Sequence, residues 1–261
     1  MTTPGAGAIE SDFYEATQAI SAGIEEIQRE YRNMEERLNR VLRFLFPPIS
    51  DGLIAAFEKL NGLMHDFMEL LQKLITEPGY PPALFRIGDR WETEVGQRLS
   101  ERAVLMEPPV LAAAYSFDGK AARAYAGNAA LQSSATESFM SFSTSMKSAL
   151  HELANSQIMF LLAIGVAVAT AAVAIGSAAI SAGTVVGAPA APPIAIAGVS
   201  AAITMLLSMA PIIYDAYSKM KTAIATMDSE LRGSKGLPGG KWPTIGEQIT
   251  NNQKPWKVET G

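Results

Sequence analysis

From Phe13 onward, core-type positions recur at alternating steps of four and three: Phe13, Thr17, Ile20, Ile24, Ile27, Tyr31, Met34, Leu38, Val41 and Leu45. This unbroken heptad seam predicts one helix of roughly 50 Å. Charges such as Glu25, Glu26, Arg29, Arg32, Glu36, Arg37 and Arg40 fill its outer positions. Pro47 and Pro48 are expected to end it. A second seam then begins, Leu53, Phe57, Leu60, Met64, Phe67, Leu71 and Leu74, with Ser50 or Asp51 available as its cap. The two helices are expected to fold back as an antiparallel hairpin, closed off by the Gly- and Pro-rich Glu77 to Pro82.

A third helix is predicted from about Ala83 to Met106, with Leu84, Ile87, Trp91, Val95, Leu99 and Leu105 on one face. A fourth follows Phe117-Asp118-Gly119, where Asp118 can cap. It runs through Ala121, Ala124, Tyr125, Leu131, Ala135, Phe139, Phe142, Met146, Leu150 and Leu153 into an apolar segment. Beyond that segment, Ile213, Tyr217, Met220, Ile224, Met227 and Leu231 form a last heptad seam before GSKGLPGG. No window shows sustained strand alternation. The expected class is all-α: an elongated bundle of long antiparallel coiled-coil-like helices with an apolar helical hairpin. It divides into an N-terminal helical hairpin (1–79), a second hairpin (80–154), an apolar Ala/Gly-rich hairpin (155–214), a C-terminal helix (215–233) and an irregular tail (234–261).

Charge enters mainly by its absence. From Leu153 to Tyr214 there is no Asp, Glu, Lys, Arg or His, a run of 62 residues. A spanning helix needs roughly 20 apolar residues, and Ile158 to Ala182 and Ile194 to Ile213 both fit. Between them, GTVVGAPAAPP, with Pro192 and Pro193, is expected to break the helix. Phe160, Leu161, Leu162, Ile164, Val166, Ile203, Leu206 and Leu207 are the side chains expected to enter a lipid bilayer. The first candidate holds ten Ile, Val, Leu or Phe residues, so insertion is favoured by only about 3 to 6 kcal/mol before its Gly, Ser and Thr are counted. Membrane insertion and a soluble hairpin with covered faces both fit this pattern. Gly165, Ala169, Ala172 and Gly176 allow close helix approach in either setting. The start MTTPGAGAIESDF has neither the basic nor the apolar region of a general secretory signal.

Composition removes several classes of chemistry. The 261 residues include no cysteine, which excludes disulfides and thiolate sites. Twenty-one Lys plus Arg against 26 Asp plus Glu give a net charge of −5, with no concentrated basic face for nucleic acid. The two histidines, His65 and His151, belong to no metal-spaced motif, and no phosphate loop, dinucleotide fingerprint or nucleophile elbow occurs. No catalytic residue, metal site or cofactor is expected, and the chain does not read as an enzyme.

The stretch from Pro81 to about Ala154 resembles the helix-turn-helix hairpin of the WXG100 superfamily, the helical substrates of type VII (ESX) secretion and the WXG-like domains of larger actinobacterial substrates. Its first helix carries Pro81, Leu84 and Trp91. The turn carries Phe117-Asp118-Gly119 where the family has Trp-x-Gly, after the longer insertion EPPVLAAAYS. The second helix opens with Gly119, Ala121, Ala122, Ala124 and Tyr125, followed by Gln132. The resemblance implies a WXG-like turn at Phe117, Asp118 and Gly119, and hairpin packing through Trp91, Ala121, Ala122 and Tyr125. The family's Tyr-x-x-x-Asp/Glu export signature is absent beyond the second helix; Tyr31 to Glu35 has its spacing but lies in the first.

The expected function is therefore non-enzymatic: a protein resembling type VII substrates, secreted or associated with the envelope or membrane. It would pair through heptad seams with itself or another helical protein, engage the type VII machinery and insert its apolar hairpin. The alternative is an α-helical pore-forming toxin component that hides the hairpin until it assembles on a membrane. A resident two-span membrane protein is a third arrangement; Lys147 before the hairpin and Lys219 and Lys221 after it put both ends on one side.

Overall fold

A computed structural model describes residues 6–75, 79–111, 118–233 and 236–242. Its α-helices are α1 (Ala6–Leu42), α2 (Pro47–Ile75), α3 (Pro81–Arg90), α4 (Arg98–Leu105), α5 (Lys120–Ser181), α6 (Ala191–Ser208) and α7 (Ala210–Gly233). A π-helical stretch, Trp91–Gln97, joins α3 to α4, and 3-10 turns lie at Pro108–Val110, Ala188–Ala190 and Pro238–Gly240. The described residues contain no strand, so the protein is all-α. The five segments drawn from sequence regroup into two units: residues 1–84 with 152–217, and residues 85–151 with 218–261.

The first unit has one continuous apolar core supplied by α1, α2, the later part of α5, and α6. The expected seams furnish it: Ile20, Ile27, Met34, Leu38 and Val41 from α1, and Leu53, Leu60, Met64, Phe67 and Leu71 from α2, are buried. Each such side chain removed from water contributes about 1.5–3 kcal/mol, so the α2 seam alone supplies on the order of 10 kcal/mol against the entropy of ordering the chain.

Two expected helix ends differ. Pro47 and Pro48 open α2 instead of merely ending α1. Proline's missing N–H falls where a first turn has no partner anyway. Ser50 and Asp51 therefore lie inside α2 and do not cap it, and the Ser50 hydroxyl donates to the Pro47 carbonyl at 2.9 Å. Pro192 and Pro193 likewise begin α6. The second expected span, Ile194 to Ile213, is cut at Met209, because Pro211 has no N–H to offer the Leu207 carbonyl.

The second unit is built on small and hydroxyl-bearing contacts. In the third helix the buried face is Phe85, Gly88, Gly96 and Ala103, out of phase with the predicted one; Ile87 and Leu105 are exposed. The π stretch inserts an extra residue and shifts the phase. A methyl group on Gly96 would stand 2.8 Å from Ser143 Cβ, so glycine there permits close approach to α5. Ser133 donates to the Ala103 carbonyl at 2.8 Å. On α5, Leu131 is exposed while Ala129, Ser133, Ala135, Thr136 and Ser143 are buried. The α7 seam is also only partly used: Met227 is buried, but Tyr217 and Ile224 are exposed. Within the segment expected to be an irregular tail, Gly236 and Leu237 are buried, and Gly236 lies so close to the Ser134–Ala135 backbone that a side chain has no room.

In the first unit, a methyl group on Gly198 of α6 would overlap Ala174 Cβ on α5. Gly198→Ala gains about 1 kcal/mol of helix propensity yet is expected to destabilise the protein by about 1–3 kcal/mol in urea titrations. Ala174→Gly in the same chain should recover most of the loss. A stabilised Gly198→Ala protein would contradict this packing.

Candidate functional site

The charge-free run forms the later part of α5, a turn, and α6. Ala122–Ser181 and Ala188–Ser208 are long and apolar enough, by length and composition, to cross a membrane. Leu161, Ile164, Val168, Ala171, Ile175, Ala178 and Ala182 step by three and four along α5 and are all buried in the core. A second seam runs two residues out of step with it on the solvent side: Met159, Leu162, Val166, Ala169, Val173, Gly176 and Ile180. Its bulky members Met159, Val166, Val173 and Ile180 are 61%, 60%, 70% and 73% exposed. One helix thus carries two heptad faces, and one of them is uncovered.

The side chains expected to enter a bilayer divide between these faces. Leu162, Val166 and Leu207 are exposed, whereas Leu161, Ile164 and Leu206 are buried and Phe160 and Ile203 are half-buried against the core. Met159, Val173 and Ile180 join the exposed face without having been expected there. Their seven-residue repeat is present in the sequence, but hydropathy averaged over a window conceals it.

Neighbouring helices flank the exposed seam. On one side α1 approaches closely: a methyl group on Gly23 would meet Val168 Cγ1 at 2.5 Å. A groove of about 600 Å³ runs there, with Ala19, Ala22, Gly23, Gly165, Ala169 and Gly176 as floor and Glu26 and Glu30 beside it. Asn33, and then Arg29, hydrogen-bond to Glu30 and hold its carboxyl below the usual range. On the other side lies α6, packed through Gly198 on Ala174. At the far end, Arg37 Nη1 donates to the Ala179 carbonyl at 2.8 Å. It satisfies one of the carbonyls left open in the last turn of α5 and places positive charge at that helix's negative end.

In the second unit, the α5 segment before the run ends in a polar cluster. Lys147 Nζ lies 2.6 Å from Glu92 and 3.3 Å from Asp89, and His151 Nε2 lies 3.2 Å from Asp89 and 3.3 Å from the Phe85 carbonyl. The imidazole stacks on Phe85 with ring centroids 3.9 Å apart. Accepting its hydrogen bond, Glu92 raises Lys147 above the ordinary lysine range, against the opposing effect of burial. The described residues contain no group of three or more His, Asp or Glu able to hold a metal ion.

The WXG-like positions lie in the same unit. Trp91 begins the π stretch and meets Phe142 edge to face at 5.9 Å. Gly119 has φ +99°, a left-handed conformation suited to glycine, and Asp118 is exposed. Ala122 is half-buried and Tyr125 is 42% exposed. Phe117 and the side chain of Ala121 lie outside the described residues. No family model matches this chain, and no curated protein or solved structure matches it.

Tyr31, whose spacing to Glu35 has the form of the export signature, sits in the first unit as a packing residue. Its ring stacks on Phe57 with centroids 5.7 Å apart, and its hydroxyl donates to Asn61 Oδ1. Burial, reinforced by the Glu35 charge, pushes the phenol up to about 12 from 10.0. A raised acid stabilises the fold while it is protonated. This contribution is complete below pH 10 and is lost as pH climbs through about 12. Stability measured against pH should therefore fall across that window in the parent, and Tyr31→Phe should remove this part of the fall. An identical alkaline slope in both proteins would show that the phenol does not carry it.

Proposed function

We propose that the chain is a non-enzymatic helical protein, exported or associated with the envelope, that binds helical partners and delivers its α5–α6 hairpin to a bilayer. The observation that carries this reading is the uncovered row of Met159, Val166, Val173 and Ile180 on a helix with no charged residue after Glu152. Water-facing segments seldom combine bulky apolar exposure with a complete absence of charge. Export by a type VII route is supported by the resemblance of Trp91, Asp118, Gly119 and Ala122 to the WXG100 pattern and by the left-handed Gly119. In this role Trp91 and Gly119 shape a carrier hairpin, and the apolar segment is its cargo.

The pore-forming alternative is favoured by a different observation: the inner seam of α5 is buried beneath α1 and α2. Such a cover keeps half of the hairpin out of water until a membrane replaces it.

Two measurements test the proposal. The full chain mixed with phosphatidylcholine–phosphatidylglycerol vesicles should float with them, and the exposed-site double variant Val166→Glu/Leu207→Glu should bind about tenfold more weakly or worse. A parent that stays in the soluble fraction, or a variant that floats equally well, would refute the bilayer role. In producing cells, appearance in the culture filtrate only with an active type VII ATPase is the result expected for export. Retention in alkali-washed membranes with or without that ATPase would instead indicate a resident two-span protein. Ring-shaped oligomers releasing vesicle contents would favour the toxin.

A further inference from the structure

We infer that the protein meets its membrane first through one end of its first unit, the tip where the α1–α2 turn and the α5–α6 turn come together, and that this tip recognises a bilayer with anionic headgroups. The inference rests on the bilayer role proposed above and gives it a point of entry and a class of lipid.

Contacts along the first unit place both turns at one end. Going along α1, Gly23 faces Val168, Glu30 faces Gly176 and Arg37 faces Gly183. The two helices α1 and α5 therefore run side by side in the same direction and finish together. The turn that follows α5 packs on α2 through Ala188–Ala190.

At this end the apolar side chains are outside. Phe44, Phe46 and Val186 are 76%, 77% and 92% exposed, and Ile49 and Val185 are exposed as well. Both turns are fixed by their own hydrogen bonds. The Phe44 N–H donates to the Val41 carbonyl and the Ile49 N–H to the Phe46 carbonyl, each at 2.9 Å, and the Gly187 N–H donates to the Thr184 hydroxyl at 3.0 Å. Leu45, between the two rings, packs against the core. An ordered turn that holds two phenylalanines in water leaves apolar surface that a partner removes.

Charge selects the partner. From Arg37 to Ser50 the chain has three arginines and no acidic residue, and the α5–α6 turn has no charge at all. Arg40 and Arg43 are exposed. Glu36 stands about 9 Å back from the end of α1 and Asp51 about 6 Å along α2 from its start, so both arginines lie nearer the tip than either carboxylate. Aromatic rings flanked by cations suit the boundary between acyl chains and anionic headgroups: the rings enter the apolar layer, the guanidinium groups stay among the phosphates, and the two signals together hold more firmly than either alone. A second copy meeting this one tip to tip would set arginines against arginines.

In flotation experiments the full chain should bind phosphatidylcholine–phosphatidylglycerol vesicles about tenfold or more tightly than phosphatidylcholine alone. Arg40→Gln/Arg43→Gln should erase most of that preference, and Phe44→Ser/Phe46→Ser should weaken binding to the mixed vesicles about tenfold or more. All four positions are exposed, so the helical circular dichroism spectrum and the urea midpoint should not change. The absence of cysteine lets single labels report orientation. An environment-sensitive dye on Val186→Cys should shift to the blue with vesicles, and one on Glu15→Cys, near the other end of α1, should not. Equal binding to both vesicle types, tip variants that float as well as the parent, or a blue shift at 15 without one at 186 would overturn the inference. If the tip variants float like the parent while Val166→Glu/Leu207→Glu does not, the hairpin reaches the bilayer by its side: this inference fails and the bilayer role stands. If the tip variants stay in the soluble fraction while Val166→Glu/Leu207→Glu floats like the parent, the tip docks on headgroups and the delivery of the hairpin fails instead. A parent that floats with neither vesicle overturns both.

Discussion

Residues 153–214 cannot make a polar face, and this constraint governs the rest of the first unit. A helix lacking charged residues must be covered on every side, or leave apolar surface against water, lipid or another protein. The amphipathic α1 and α2 meet part of that demand by turning their heptad seams inward onto α5 and α6. Cover is tight because the hairpin is rich in small residues. Gly198 fits against Ala174, and Gly23 of α1 against Val168, with no room for added methyl groups. Polar side chains act mainly at the ends, where backbone groups lack partners, as Arg37 does at the Ala179 carbonyl.

The second unit solves a similar problem with different residues. Its α5 segment meets the α3–α4 region through Ser133, Ser143, Gly96 and Ala103, with Trp91 and Phe142 providing the larger contact. Beside them, Lys147 joins Asp89 and Glu92 while His151 stacks on Phe85. The same helix therefore changes its mode of packing along its length. Before Glu152 hydroxyls and charges join its packing, and after Glu152 apolar shape carries it up to the last turn, where Arg37 binds the Ala179 carbonyl.

Much of this is legible from residue spacing. The α1 and α2 seams, the continuity of α5 across its change in polarity and the apolar hairpin all follow from periodicity and missing charge. The departures have physical causes. Prolines expected to terminate helices open α2 and α6, since a missing N–H is harmless in a first turn. The buried face of the α3–α4 region departs from its expected one because Gly88, Gly96 and Ala103 make its contacts, and because the π stretch shifts the register beyond Trp91. The outward seam escapes notice for the opposite reason: a hydropathy window registers how apolar a segment is but not which side each residue faces, so Met159, Val173 and Ile180 are averaged together with Leu161 and Ile175.

That averaging bears on what membrane-like means here. A helix with one heptad seam keeps a polar back and reads as amphipathic. Given two seams on opposite sides, as in Leu161–Ile164–Val168–Ile175 and Met159–Val166–Val173–Ile180, it has no back at all and reads as a span. Its hydropathy therefore does not distinguish a helix sandwiched between two protein layers from one wetted by lipid. The two arrangements differ in their demand for register. Lipid tolerates any order of apolar side chains, whereas protein on both sides requires large and small residues to recur in step on both faces. On the inner face that order is already met by α1 and α2. The outer face repeats the bulky positions two residues out of step, in Met159, Val166, Val173 and Ile180, and leaves them against solvent.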